Sequence, residues 1–235
     1  MKVKSADTVK DLVSARLGSQ DIDQLVLDGQ VVWTRALMAD NFNRANSIGL
    51  GANWTNLGDA EDPYLASVVD GLCRLNIPDN IVGMNLRTST WRWNPQVTNG
   101  DDGYIETRIA NRGGNDDGLR TVVWRRAANT GTTPTVGVGM EFSPLGIYVV
   151  NRSGATILRR QSCGAFDAGD VVRMTSVGNV HTVTKNGLPA GVWPDTANAG
   201  PTGAANRSMA VTVSGIKPAF SSRRFSAALD YIECR

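Results

Sequence analysis

From residue 22 onward the chain alternates short apolar runs with glycine-containing dipeptides. Leu25-Val26-Leu27 and Val31-Val32-Trp33 flank Asp28-Gly29, and Ser67-Val68-Val69 and Leu72-Cys73-Arg74-Leu75 flank Asp70-Gly71. Ile147-Tyr148-Val149-Val150 and Thr156-Ile157-Leu158 flank Ser153-Gly154, while Val171–Met174 and Val180–Val183 flank Gly178-Asn179. β-Branched residues favour strands, and these dipeptides supply the positive φ that two-residue hairpin turns demand. The pattern therefore predicts four hairpins. Only Thr8–Arg16 carries apolar residues (Val9, Leu12, Val13) at helical spacing, with Ser5 or Asp7 as cap and Gly18 as stop.

The switch from helix and hairpin to uninterrupted strands places a boundary near residues 35–39. It predicts a small N-terminal helix-plus-hairpin module, residues 1–36, followed by one all-β domain over residues 37–235. Turn signals recur in that domain at the spacing of a sandwich or barrel. The polar, small-residue stretch Asp195–Asn206 reads as a long surface loop.

Charge narrows the function. Lys plus Arg is 24 and Asp plus Glu is 22, a net charge of +2, which argues against gripping nucleic acid through phosphate neutralisation. No apolar run approaches the roughly 20 residues of a membrane helix. No apolar signal segment follows Met1-Lys2-Val3-Lys4, so the expectation is a chain made and kept in a cytoplasm until assembly. With one His and three widely spaced Cys, neither an ordinary zinc set nor a redox pair is spelled out, and free thiols are expected.

Several segments carry a resemblance. Asp40-Asn41-Phe42-Asn43-Arg44-Ala45 with Gly49–Thr55 resembles the opening "DxFxRA…LGxxWT" of concanavalin-like, laminin-G-type jelly rolls in actinobacterial proteins and actinobacteriophage minor tail proteins. Asp102–Ile109 resembles that family's "DGYVEVRV" strand. Gly169–Met174 with Gly178-Asn179 and Thr182–Gly187 resembles "GDxVRL…GN…TVxxNG". Phe225–Glu233 looks like its closing strand, which pairs near the first. Ile22–Trp33 is similar to the segment that opens many phage virion proteins. The resemblance implies a concanavalin-like jelly-roll β-sandwich behind a virion-docking module. It further implies a phage virion structural protein, a minor tail protein displaying a lectin-like domain toward host-surface carbohydrate. Partners would be other virion proteins, through residues 1–36, and copies of the same chain, a trimer being the form expected at a tail tip. A capsid decoration or head-fibre role is the alternative.

The chemistry looks thin. Glycosidases of the laminarinase type share this fold and need two carboxylates facing one another, usually spelled ExDxE or ExDxxE on one strand. No such motif is present, and the expectation is a binding protein rather than an enzyme. Hydrolysis would need carboxylates brought together from distant segments, with Glu61 and Asp62 as the residues to test. His181 reads as structural. For sugar stacking the candidates are Trp91 and Trp93, which alternate and so share a strand face, Trp124 with Arg125, and Trp193 at a loop rim. Cofactors are not expected, except that three acidic turns leave calcium open: Asp59, Glu61 and Asp62; Asp101 and Asp102; Asp116 and Asp117. Each also reads as an ordinary polar turn. In Arg125-Arg126, Arg159-Arg160 and Arg223-Arg224, strand alternation should send one arginine to each side.

Overall fold

The computed structural model describes residues 38–58 and 60–235 in full and, nearer the N-terminus, the backbone of 16–17, 20–21, 24–27 and 30–34. The chain divides into two compact units, Met1–Leu37 and Met38–Arg235. In the first, β1 (Arg16–Leu17) pairs antiparallel with β2 (Gln20–Asp21), and β3 (Gln24–Leu27) with β4 (Gln30–Thr34). Leu27 opposes Gln30, and the Asp28-Gly29 turn expected between them lies outside the described residues. The helix expected over residues 8–16 lies outside the described residues, except for Arg16, which belongs to β1.

The second unit is all-β. Its strands are β5 (Met38–Asp40), β6 (Trp54–Asn56), β7 (Ala66–Val69), β8 (Leu72–Leu75), β9 (Met84–Trp93), β10 (Gly103–Asn111), β11 (Thr121–Ala127) and β12 (Val136–Ser143). They continue with β13 (Gly146–Ser153), β14 (Thr156–Ser162), β15 (Val171–Val177), β16 (Val180–Lys185), β17 (Leu188–Pro194), β18 (Ser208–Lys217), β19 (Arg224–Phe225) and β20 (Ala228–Cys234). Sheet I runs β17-β16-β15-β10-β20-β8-β7, with β5 also on β20; sheet II runs β14-β13-β12-β11-β18-β9-β6, with β19 on β18. All these pairings are antiparallel, and β5 meets β20 with Met38 opposite Cys234. The closing strand thus lies beside the first, giving the two-sheet jelly roll.

Turn chemistry explains the hairpins. Asp70 and Gly71 take φ of 56° and 75°, and Gly178 takes 55°. Asn186-Gly187, at 52° and 79°, makes a further two-residue turn between β16 and β17. The predicted loop over 195–206 carries one short 3-10 turn, Ala204–Asn206.

Alternation then builds the core. Val138, Met140 and Phe142 of sheet II and Ile105, Ile109, Val172, Met174 and Ile232 of sheet I are fully buried between the sheets. Each such side chain contributes about 2 kcal/mol by leaving water. Cys73, Cys163 and Cys234 are buried free thiols. Burial pushes the Cys234 thiol up to about 12 and raises Cys73 and Cys163 as well, so all three are inert packing residues.

Candidate functional site

The outward face of sheet I assembles polar groups from both ends of the domain. Backbone bonds in both directions lock Tyr104 to Arg235 (2.8 and 2.9 Å). A Cβ on Gly103 would sit 1.9 Å from the Arg235 carbonyl oxygen, so only glycine lets the two strands approach there. That approach sets Glu106 opposite Glu233, Arg108 opposite Tyr231 and, on the other side of β10, Glu106 opposite Arg173.

The side chains interlock. Arg173 donates from Nε to Glu106 Oε2 (2.7 Å), and its Nη2 lies 3.9 Å from Glu233 Oε1. The Tyr231 hydroxyl donates to Glu106 Oε1 at 2.7 Å, Tyr104 pairs with Glu233, and the Arg173 guanidinium lies 4.1 Å from the centre of the Tyr104 ring. Burial and the neighbouring Glu106 charge push the Glu233 carboxyl above its ordinary value. Burial disfavours charge on Arg173, but Glu106 outweighs it and holds the guanidinium above its usual range. The fold has brought together two carboxylates 127 positions apart, one favouring its proton and the other held by a cation.

Next to this network lies an open groove of about 330 Å³, lined by Asn41, Asn43, Asp70, Gly71, Leu72, Asp230 and Tyr231. Its walls are fixed. Asp40 accepts from the Phe42 amide (2.8 Å), the Arg44 guanidinium (2.6 Å) and the Trp54 indole (2.8 Å), pinning the segment that carries Asn41 and Asn43. The Asp70 amide donates to Asn46 Oδ1 at 2.7 Å, tying the β7–β8 turn to that segment. A concave surface with planar amides, carboxylates and one phenol ring suits a hydroxyl-rich, partly apolar ligand.

The residues singled out in the sequence lie elsewhere. Trp91 and Trp93 do share a face, but it is the inner one: each is 8 % exposed, and Trp93 packs edge-on against Trp54. Trp124 is buried flat against Gly137, with its indole donating to Thr212 Oγ1 at 2.9 Å. Arg125 and Arg126 are both fully buried, and the alternation rule fails for them because a bulge at this point of β11 turns both inward. Arg125 donates to Thr98 Oγ1 and the Gly100 and Asp102 carbonyls, Arg126 to the Asp101 and Gly178 carbonyls. None of these four presents a free sugar platform. Trp193 is half-buried, stacked on His181 and capped by Arg160. Arg159 and Arg160 do part to opposite sides, as alternation predicts: Arg159 toward Glu141, Arg160 toward Asn151.

Asp101, Asp102 and Asp116 are held by protein groups. Asp101 accepts from the Gly203 amide (2.8 Å) and Arg207 (3.0 Å); burial opposes its charge, but these bonds hold its carboxyl below the usual range. Asp102 accepts from the Gly178 amide at 2.7 Å, and Asp116 pairs with Arg224. Glu61, Asp62 and Asp117 are exposed, and Asp59 lies outside the described residues. Among the described residues no three His, Cys, Asp or Glu side chains cluster closely enough to hold a metal.

Sequence reasoning missed Asn41, Asn43, Asp70, Tyr104, Glu106, Arg173, Asp230, Tyr231 and Glu233. Tyr104-x-Glu106-x-Arg108 and Tyr231-x-Glu233 alternate polar with apolar positions, which marks them as outward. That signal was readable, but not the register that makes them neighbours.

No protein-family model matches the chain, and no curated protein matches it. Solved structures do. A protein from a study of endo-acting O-glycanases expressed by human gut microbiota superimposes with TM-score 0.54 at 12 % identity, covering 84 % of this chain and 98 % of its own. The endo-β-1,3-glucanase of Pyrococcus furiosus gives 0.51 at 14 %, covering 90 % and 97 %. A β-1,3-1,4-glucanase (lichenase) from a mouse hindgut metagenome gives 0.50 at 13 %, covering 83 % and 97 %. At such identities the likeness carries the fold, a concanavalin-like jelly roll. It also corrects the expectation of a non-enzyme: the missing ExDxE strand was the ground for it, yet glucanases stand among the structures with this fold. The minor tail protein resemblance draws nothing from these structures and rests on sequence.

Proposed function

We propose that residues 38–235 are a carbohydrate-recognition domain whose binding site is the groove between the Asp70-Gly71 turn and Asp230-Tyr231. The observation that carries this reading is the groove itself, about 330 Å³, walled by Asn41, Asn43, Asp70 and Asp230 beside the Tyr231 ring. Amide and carboxylate groups fix sugar hydroxyls, and a phenol ring takes a C–H face. The glycan-acting proteins that share the fold support the choice of ligand class. Affinity electrophoresis of the full chain through gels containing β-1,3-glucan or bacterial envelope polysaccharide tests it. Retardation that Asn43→Ala and Asp230→Ala each abolish supports the groove; unretarded migration in every polysaccharide contradicts it.

The finer reading is display on a phage particle, with the N-terminal unit as anchor and host-surface glycan as target. Its support is the pair of sequence resemblances and the division into a small unit and a sandwich. In a symmetric homo-oligomer, weak single sites would gain avidity. Light scattering of the full chain and its retention on purified virions test both parts.

The Glu106–Glu233 pair favours a second reading, glycan hydrolysis beside the same groove. Glu233, which favours its proton, is the candidate acid, and Glu106, held by Arg173 and Tyr231, the candidate nucleophile or base. Release of reducing ends from a retained polysaccharide, lost in Glu106→Gln and Glu233→Gln, supports it.

A further inference from the structure

Two loops meet at one end of sheet II. Lys217 opposite Met84 is the last rung between β18 and β9, and beyond it lie residues 76–83 on one side and 218–223 on the other. Backbone fastens the loops to each other: the Phe220 amide donates to the Val82 carbonyl (3.3 Å), and a Cβ on Gly83 would lie 3.2 Å from Ala219 Cα. Side chains add further ties. Lys217 donates from Nζ to the Asp79 carbonyl (3.0 Å), and Arg223 donates to the Ile77 carbonyl (2.6 Å) and pairs with the Asp79 carboxylate (2.6 Å).

This fastened tip raises Phe220 into water, 95 % exposed, with Val82 beside it at 66 %. Phe220 also takes left-handed backbone, with φ at 58°. That conformation is unfavourable for any side chain with a Cβ, and most for a bulky one. Phe42, at 51°, recovers the cost by burial against Trp54, whereas Phe220 recovers nothing inside the chain. A tied-down tip that holds an apolar ring in water through strained backbone points to a contact outside the chain.

We propose that the tip docks on a phospholipid surface, with Phe220 and Val82 entering the headgroup layer. The collar around them decides for lipid. Asn80, Ser221 and Ser222 are exposed there, and with Lys217 and Arg223 they bring hydrogen-bond donors to phosphate oxygens, which only accept. Asp79, the one carboxylate in these segments, is matched by Arg223; Lys217 is held by a neutral carbonyl and keeps its positive charge for the surface. The tip is separate from the groove and does not depend on it.

The test sediments the full chain with vesicles of phosphatidylcholine and of an equal mixture with phosphatidylglycerol, titrating lipid at low salt. Binding to both is expected, about fivefold tighter to the anionic mixture, as one unmatched cation at the surface supplies. Phe220→Asn should weaken both by about tenfold. Lys217→Gln should erase the preference for the anionic mixture, and Leu145→Asn, at an exposed apolar position in the β12–β13 turn, should change nothing. Asparagine takes left-handed backbone more readily than phenylalanine, so Phe220→Asn should melt no lower than the unaltered chain. No binding to either vesicle, binding that survives Phe220→Asn, an anionic preference that survives Lys217→Gln, or a lower melting temperature in Phe220→Asn overturns the proposal. So does a lipid-free oligomer that Phe220→Asn dissolves, which would make a second copy the occupant.

Discussion

His181 shows how one buried group sets a pH limit. Its Nδ1 meets Ser176 Oγ at 2.9 Å, its ring stacks on Trp193, and its Nε2 has no partner. Burial, then the nearby Arg126 charge, lowers its pKa to about 4, with Asp195 opposing. A depressed histidine contributes stability above its unfolded pKa near 6.5 that is lost as pH falls toward the folded value. Urea melts from pH 7 to pH 4 should therefore show a loss of about 3 kcal/mol from this residue, and a His181→Gln variant should lose less over that window. Asp101 and Asp170, both held below the usual range, act at lower pH and do not blur the result. Glu233 has the opposite sign. Its raised pKa makes the folded chain hold the extra proton, so its contribution is present below its unfolded pKa and lost as pH rises through the folded one. Glu233→Gln should raise the melting temperature at pH 8, with the gain closing in acid; a lower melting temperature at pH 8 would refute the assigned direction. None of this was legible in the sequence, where His181 is simply one polar residue in an alternating strand, because burial and neighbouring charge are properties of the packed state.

Single elements were readable wherever local chemistry decides them. Asp70-Gly71 and Gly178-Asn179 announce their turns because few residues take positive φ at no cost, and the strands around them follow. The bulge in β11 was not readable. Alternation assigns Arg125 and Arg126 to opposite faces, but the extra residue turns both inward, where they hold the 98–102 loop by its carbonyls. Arg126→Met should cost about 3 kcal/mol, since it strips hydrogen bonds from the Asp101 and Gly178 carbonyls at once; chemical denaturation measures it, and a loss under about 1 kcal/mol would show that water replaces the guanidinium. β12 offers a sharper case. A Cβ on Gly139 would lie 2.0 Å from the Val123 carbonyl oxygen, and one on Gly137 2.7 Å from the Trp124 ring. Gly139→Ala should leave little soluble protein, because the neighbouring backbone cannot yield.

At the scale of the whole molecule, the jelly roll was legible and the site was not, for one reason. Fold class follows from turn spacing and alternation, both local. The site depends on β10 lying between β15 and β20, so that Arg173, Glu106 and Glu233 form one row from segments far apart in the chain. The tryptophans that sequence reasoning favoured are large side chains that packing buries: Trp91 and Trp93 in the sandwich interior, Trp124 on the outer side of sheet II against Gly137. The outer side of sheet I instead carries a tyrosine-walled, amide-lined groove.

The central claim, that the groove recognises sugar, is tested most directly by amide chemical-shift mapping of the full chain titrated with gluco-oligosaccharides and with fragments of bacterial envelope polysaccharide. The account predicts saturable shifts concentrated at Asn41, Asn43, Gly71, Asp230 and Tyr231. Saturable shifts confined to other surfaces, or none with any of these glycans, would contradict it.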